Sequence, residues 1–153
     1  MISVLLFLVF LQSRSPSQGV MFRTDGAMGF SRETVTLHFR LYNSGGAIEV
    51  YANDSGDTKT RDGIRLHLAQ ITKMFRDGNF NVPLFIHDAI PPGIPTMSKL
   101  HDQIRYIYSD MPQGAKISIA SKNKEAADSV HDFLRFQIKD HKTGDSLDIR
   151  PRR

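Results

Sequence analysis

Val35-Thr36-Leu37-His38-Phe39-Arg40-Leu41-Tyr42 alternates between apolar and polar side chains, and this is the clearest structural pattern in the sequence. Because successive side chains of a β-strand point to opposite faces, the pattern predicts a strand with one buried and one wet face. Asn43–Gly46 supplies residues that tolerate the backbone of a tight turn, and the alternation resumes over 47–52. Together these segments predict a β-hairpin over residues 35–52.

Three helices are predicted after the hairpin from apolar residues spaced three or four apart. The first begins at a cap on Ser55 or Asp57 and ends at Asp77-Gly78. The second begins at Thr96 and ends near Asp110. The third begins at Ser121 or Asn123 and closes at 143–145. Their apolar stripes are Ile64, Leu68, Ile71 and Phe75; then Met97, Leu100, Ile104 and Ile107; then Ala127, Val130, Leu134 and Ile138.

Two further segments complete the predicted order. Lys116–Ala120 alternates and predicts a third strand, whereas 79–95 is rich in proline and predicts a long connection. Within that connection, 84–86 is apolar and predicts a short strand. The order β-β-α-α-β-α predicts an α+β fold, a two-layer sandwich with a small antiparallel or mixed sheet and helices on one face. We expect a core that includes Phe39, Leu68, Ile104, Ile117 and Leu134, and no internal repeat is visible in the sequence.

Residues 1–19 form a hydrophobic leader, 20–145 the single α+β domain, and 146–153 a basic tail. The apolar run Ile2–Leu11 is too short for a membrane-spanning helix, which takes about 20 residues, but has the length of a signal-peptide core. A periplasmic or secreted protein is therefore expected. No Lys or Arg precedes the run, and no Ala-x-Ala-like site follows it. A true start at Met21, which would leave the protein in the cytoplasm, and a buried strand are the alternatives.

Composition excludes several classes of function. The chain of 153 residues contains no cysteine, which rules out disulfides, a thiolate nucleophile and cysteine-ligated zinc or iron–sulfur sites. The formal net charge is +4, but basic residues are interspersed with acids, so no nucleic-acid partner is expected. No transmembrane span is expected either. Signatures of phosphate-binding loops, zinc proteases, serine hydrolases and calcium loops are absent.

The candidate ligand-binding residues are His87, Met97, His131 and His141. His131 and His141 flank the apolar stripe of the third predicted helix, His87 lies in the proline-rich connection, and Met97 lies at the start of the second predicted helix. Imidazole and thioether together suit copper or a haem iron. Ten residues of straight helix separate His131 from His141 by about 15 Å, so one ion would use only one of them. The alternative is that these histidines bond backbone carbonyls and Met97 fills the core.

Four stretches of this sequence resemble a family of small bacterial proteins of unknown function, many of which carry a hydrophobic leader. They are Phe75–Phe80 through Pro83, His87 through Pro91-Pro92-Gly93 to Met97, Ile104–Tyr106, and His131–Asp145. The likeness covers residues 35–145. It implies one compact domain and export, but no activity.

Three functional hypotheses follow. The first is a non-catalytic exported binding module for an unknown small ligand or protein. The second is a metal- or haem-binding protein of the cell envelope that uses the four residues above. The third is a small hydrolase or transferase, with histidines and nearby aspartates as acid and base. Asp132 adjoins His131, but neighbours on a helix point about 100° apart, so the pattern favours binding over catalysis.

Overall fold

The structure is a computed structural model that describes residues 28–87 and 89–151. Its strands are β1 (Val35–Tyr42), β2 (Gly45–Ala52), β3 (Ile104–Met111) and β4 (Gly114–Ser121), and its helices are α1 (Thr58–Arg76), α2 (Asn81–His87), α3 (Ile94–Lys99) and α4 (Lys124–His141). Short 3-10 turns over Arg32–Thr34 and His101–Gln103 precede β1 and β3. The predicted α+β class is confirmed.

The four strands form one antiparallel sheet in the order β1-β2-β4-β3. Phe39 pairs with Ile48, which pairs with Ile117, so these three side chains share one face of the sheet. That face packs on the helices. Polar neighbours such as Arg40, Glu49 and Lys116 lie on the other face. The predicted hairpin and its wet face are both confirmed.

The chain folds as two successive β-β-α units, and the helix of each unit covers the hairpin of the other. Helix α1 follows the first hairpin but packs mainly on β3 and β4, whereas α4 follows the second hairpin and packs mainly on β1 and β2. The two units therefore share one core and cannot bury their apolar faces separately.

The second predicted helix is wrong over most of its length. Helix α3 ends at Lys99, and residues 104–111 form strand β3, so the observed order is β-β-α-α-α-β-β-α. Ile104 and Tyr106 face the core, whereas Ile107 is 42% exposed. The spacing of Met97, Leu100, Ile104 and Ile107 imitates a helical stripe, but the β-branched and aromatic residues of 104–108 pair with β4 instead.

The short strand predicted at 84–86 is also wrong, because these residues lie inside helix α2. Pro83 is the third residue of that helix, where a missing N–H is tolerated. Ile86 and His87 turn toward the core, and Phe85 is 60% exposed. Seven residues show too little of a helical period for the sequence pattern to reveal it.

The other boundaries and the core agree with the sequence. Asp57 and Asn123 cap α1 and α4 by accepting hydrogen bonds from the N–H groups of Thr60 and Ala126. Gly78 follows α1 with a positive φ of 69°. The predicted core residues are all buried: Phe39, Leu68, Ile104, Ile117 and Leu134.

Residues 143–150 lie along the free edge of β1. The carboxylate of Asp145 accepts a hydrogen bond from the N–H of Phe39, and the N–H of Arg150 donates to the carbonyl of Leu41. This segment covers an edge that would otherwise present unpaired backbone groups. The leader, residues 1–19, lies outside the described residues. Among the described residues, no helix is long and apolar enough to cross a membrane.

Candidate functional site

His87 and His141 meet where two helices end. His87 is the last residue of α2 and His141 the last residue of α4, and their ring centroids lie 5.1 Å apart at an angle of 78°. Both are buried, His87 with 9% and His141 with 7% of its surface exposed. Asp140, which precedes His141, joins them at the solvent side with a side chain that is 29% exposed. We call His87, Asp140 and His141 the histidine cluster.

Both ring nitrogens of His87 face oxygen atoms of α4. Nδ1 lies 2.9 Å from Oδ2 of Asp140, and Nε2 lies 3.1 Å from Oε1 of Gln137. Contacts on both nitrogens set the orientation of the ring, as in histidines that bind metals with one nitrogen and donate from the other. The amide nitrogen of Gln137 is buried and has no hydrogen-bond partner in the described part of the chain.

His141 is held by Arg32 from the turn before β1. The Arg32 guanidinium donates to Nδ1 of His141 and to the carbonyl oxygen of the same residue. Burial, with the nearby charge of Arg32 and the ring of His87, lowers the pKa of His141 to about 3. His141 is therefore a neutral imidazole at physiological pH, which is the form that binds metals.

The geometry of the histidine cluster suits a metal ion. One ligand atom from each of its three members lies within 4.8 Å of the others. Nδ1 of His87 and Oδ2 of Asp140 are 2.9 Å apart, and two ligand atoms bound at right angles, each about 2.1 Å from an ion, are separated by about 3.0 Å. Two imidazoles and one carboxylate are a set that binds first-row transition metals and leaves other positions open.

The repeated β-β-α unit provides an internal comparison. Counted from the caps Asp57 and Asn123, Ile71 in α1 corresponds to Gln137 in α4, and Phe75 corresponds to His141. All four side chains are buried. In the first unit these places are apolar and Phe75 packs against Phe80, Tyr106 and Phe133. The second unit carries polar side chains at the same two places, and both point toward His87. The second unit therefore has a buried polar cluster at the places where the first unit has an apolar one.

A small cavity of about 80 Å³ borders the cluster on its inner side. Its walls are mostly apolar and include Phe39, Val50 and Ile117, while Gln137, His87 and His141 supply polar atoms. His67 also lines it, and burial lowers the pKa of that residue to about 4. Asp140 is not among the residues that line this cavity.

Two of the four predicted ligands lie elsewhere. His131 is buried, and its Nε2 lies 2.8 Å from the carbonyl oxygen of Tyr42, the backbone contact that the alternative interpretation expects. Met97 is fully buried in the core and does not line the cavity. The structure thus brings together His87 and His141 and adds Asp140 and Gln137. Residues 137, 140 and 141 share one helical face, but nothing in the sequence places that face opposite His87.

Family models, curated proteins and solved structures were compared with this chain, and none matched. Any functional assignment therefore depends on the site itself.

Lowering the pH from 6.5 to 5 should destabilise the metal-free protein by roughly 3 kcal/mol. His67 and His141 have folded-state pKa values well below the ordinary value of 6.5. The unfolded chain therefore takes up protons below pH 6.5 that the folded protein excludes. As a result, the free energy of unfolding decreases as the pH is lowered. Urea unfolding in EDTA at several pH values measures this fall. The variant His67→Phe should show about half of it, and a flat profile in the unmodified protein would contradict both pKa shifts.

Proposed function

We propose that this protein is a non-catalytic exported binding module whose ligand is a divalent transition-metal ion. The ion is held by His87, Asp140 and His141. The observation that carries the proposal is the convergence of these three ligand groups within 4.8 Å at the ends of two helices. Export is supported by the length of the apolar run at residues 2–11.

The chemistry of the ligands defines the class of ion. Imidazole nitrogen suits zinc, copper, iron and nickel, whereas magnesium and calcium prefer oxygen ligands alone. Copper therefore stays among the candidates predicted from the sequence. A haem does not fit beside these residues, because the space next to His87 and His141 has a volume of only about 80 Å³.

A metal ion at this site competes with the guanidinium of Arg32 and with a proton on His87. Arg32 donates to Nδ1 of His141, and a proton on Nδ1 of His87 satisfies the carboxylate of Asp140. An ion that binds Nδ1 of His87 replaces that proton, so metal binding should release protons and strengthen with rising pH. When Nδ1 of His87 binds the ion, the ring proton lies on Nε2, which donates to Oε1 of Gln137.

Titration calorimetry of the full chain, purified without a histidine tag, tests the proposal with Zn²⁺ and Co²⁺. We expect one ion per chain. His87→Ala and His141→Ala should each weaken binding by about 100-fold or more, and Asp140→Asn by about 10-fold or more. His101→Gln and His131→Gln are matched controls and should leave the affinity unchanged, since His101 contacts the carbonyl of Arg76 and His131 that of Tyr42. No binding, or equal losses in the control variants, would refute the proposal.

A further inference from the structure

Arg32 holds one of the proposed metal ligands, His141. It lies in the turn before β1, and its guanidinium donates both to Nδ1 and to the carbonyl oxygen of His141, the last residue of α4. A guanidinium has donors only, so Nδ1 is the acceptor in this contact. Because the lowered pKa of His141 keeps its ring neutral, the single ring proton lies on Nε2. The lone pair of Nδ1 therefore faces Arg32.

Binding of a metal ion to His141 breaks this hydrogen bond whichever ring nitrogen is used. An ion on Nδ1 takes the lone pair that accepts the hydrogen bond from Arg32. An ion on Nε2 moves the ring proton to Nδ1, because a neutral imidazole carries one N–H group and offers one lone pair. Two donors then face each other, and the guanidinium has to turn away. The contact of Arg32 with Nδ1 and the coordination of an ion by His141 are therefore mutually exclusive.

We propose that Arg32 is an internal competitor that sets the affinity of the metal site, because it holds His141 in the metal-free protein and is displaced from Nδ1 when an ion binds. This inference rests on the proposed metal site. Every ion replaces the same hydrogen bond from a charged donor, so the affinities of all ions are lowered by the same factor. Zn²⁺ and Cu²⁺ bind imidazole strongly and displace Arg32, whereas the weaker Mn²⁺ leaves it in place at the same free concentration.

Titrations of the full chain, purified without a histidine tag, with Zn²⁺ and Co²⁺ test Arg32 as a competitor. Arg32→Met keeps an unbranched side chain and removes the donors. It should bind both ions more tightly by about 10-fold or more, and by the same factor for each, because the hydrogen bond no longer has to be broken. Arg76→Met is the matched control and should leave both affinities unchanged. Arg76 also donates to a backbone carbonyl, that of Tyr106, which lies outside the histidine cluster.

Nitrogen NMR of the unmodified protein is an independent measurement, and it stays decisive if Arg32→Met does not fold. With isotope-labelled histidine, Nδ1 of His141 should give the signal of an unprotonated nitrogen in the absence of metal. Saturation with Zn²⁺ should replace this signal with that of a protonated nitrogen or of a metal-bound nitrogen, since both modes of binding displace Arg32.

The outcomes separate the two proposals. If Zn²⁺ binds neither the unmodified protein nor Arg32→Met, the metal site itself is refuted. If Zn²⁺ binds, but Arg32→Met has the same or a lower affinity, Arg32 only supports His141, and the competitor is refuted while the metal site stands. The same conclusion follows if Arg76→Met gains as much affinity as Arg32→Met, or if Nδ1 of His141 keeps its unprotonated signal in the Zn²⁺-loaded protein.

Discussion

Replacing Gly93 with alanine should reduce the free energy of unfolding by about 3–5 kcal/mol. Gly93 precedes α3 with a φ of +85°, a conformation that residues with a side chain rarely adopt. A Cβ atom there would lie 2.1 Å from the carbonyl oxygen of Ser129 in α4 and 3.1 Å from the N–H nitrogen of Phe133. Both contacts are with helix backbone, which cannot move aside locally. The loop carrying Gly93 must therefore shift away from α4.

Gly144→Ala is the matched control for this experiment. Gly144 has a φ of +75°, but a Cβ atom at this position would meet nothing within 4 Å. The free energy of unfolding of Gly144→Ala should be lower than that of the unmodified protein by only about 1–2 kcal/mol, which is the contribution of backbone strain alone. Urea unfolding of both variants separates strain from close packing. Equal losses would mean that the contact with Ser129 is not tight. Because the same loop connects α2 to α3, Gly93→Ala should also weaken Zn²⁺ binding at His87.

Replacing Asp145 with alanine should reduce the free energy of unfolding by about 2–3 kcal/mol, because the N–H of Phe39 and the hydroxyl of Thr143 lose their acceptor and Arg40 loses one of its two carboxylate partners. The Asp145 side chain is only 5% exposed. It accepts hydrogen bonds from the N–H of Phe39 at 3.0 Å, from Arg40 at 2.7 Å and from the hydroxyl of Thr143 at 2.8 Å, and Nδ1 of His38 lies 3.0 Å away. These contacts connect the segment after α4 to the edge strand β1.

The effect of Asp145→Ala should depend on pH in a defined direction. Burial raises the pKa of Asp145, but hydrogen bonds from Phe39, Thr143 and His38 and the charge of Arg40 outweigh it, so the pKa is lowered. A carboxylate with a lowered folded-state pKa stabilises the fold above its unfolded pKa and loses that contribution as the pH falls through the folded value. The difference in the free energy of unfolding between the unmodified protein and Asp145→Ala should thus be largest at pH 7 and diminish below pH 3.8. Asp148→Ala, an exposed residue of the same segment, should stay within about 0.5 kcal/mol.

Local patterns were enough to predict much of the fold. The alternation over 35–52 depends only on which side chains face the core, and the hairpin formed as predicted. The caps at Asp57 and Asn123 are contacts between residues three apart, so they are visible in sequence as well. Strand β3 was missed because its evidence is not local. Ile104 and Ile107 fit a helical stripe, and only pairing with β4 favours the extended form.

The candidate site was also predicted from the sequence only in part. His141 was predicted as a ligand because it flanks an apolar stripe, and His87 because of its place in the proline-rich connection; the structure brings these two together. The stripe also selected His131, which bonds a backbone carbonyl, and the thioether of Met97 was added as a soft ligand but lies in the core. Asp140 was missed, since an aspartate near the end of a helix is usually a solvated residue. Its hydrogen-bond partner, His87, lies 53 residues away in the sequence.

Residue types and short spacings were enough to predict the α+β class, the first hairpin, the faces of α1 and α4 and the exclusion of cysteine chemistry. Packing between distant elements was needed to show that 104–111 is a strand and that each helix covers the hairpin of the other unit. That exchange places the end of α4 against α2 and the turn before β1, so His87, Asp140, His141, Gln137 and Arg32 meet although they are distant in the chain. Contacts between distant segments depend on how whole elements pack, and no local spacing encodes that arrangement.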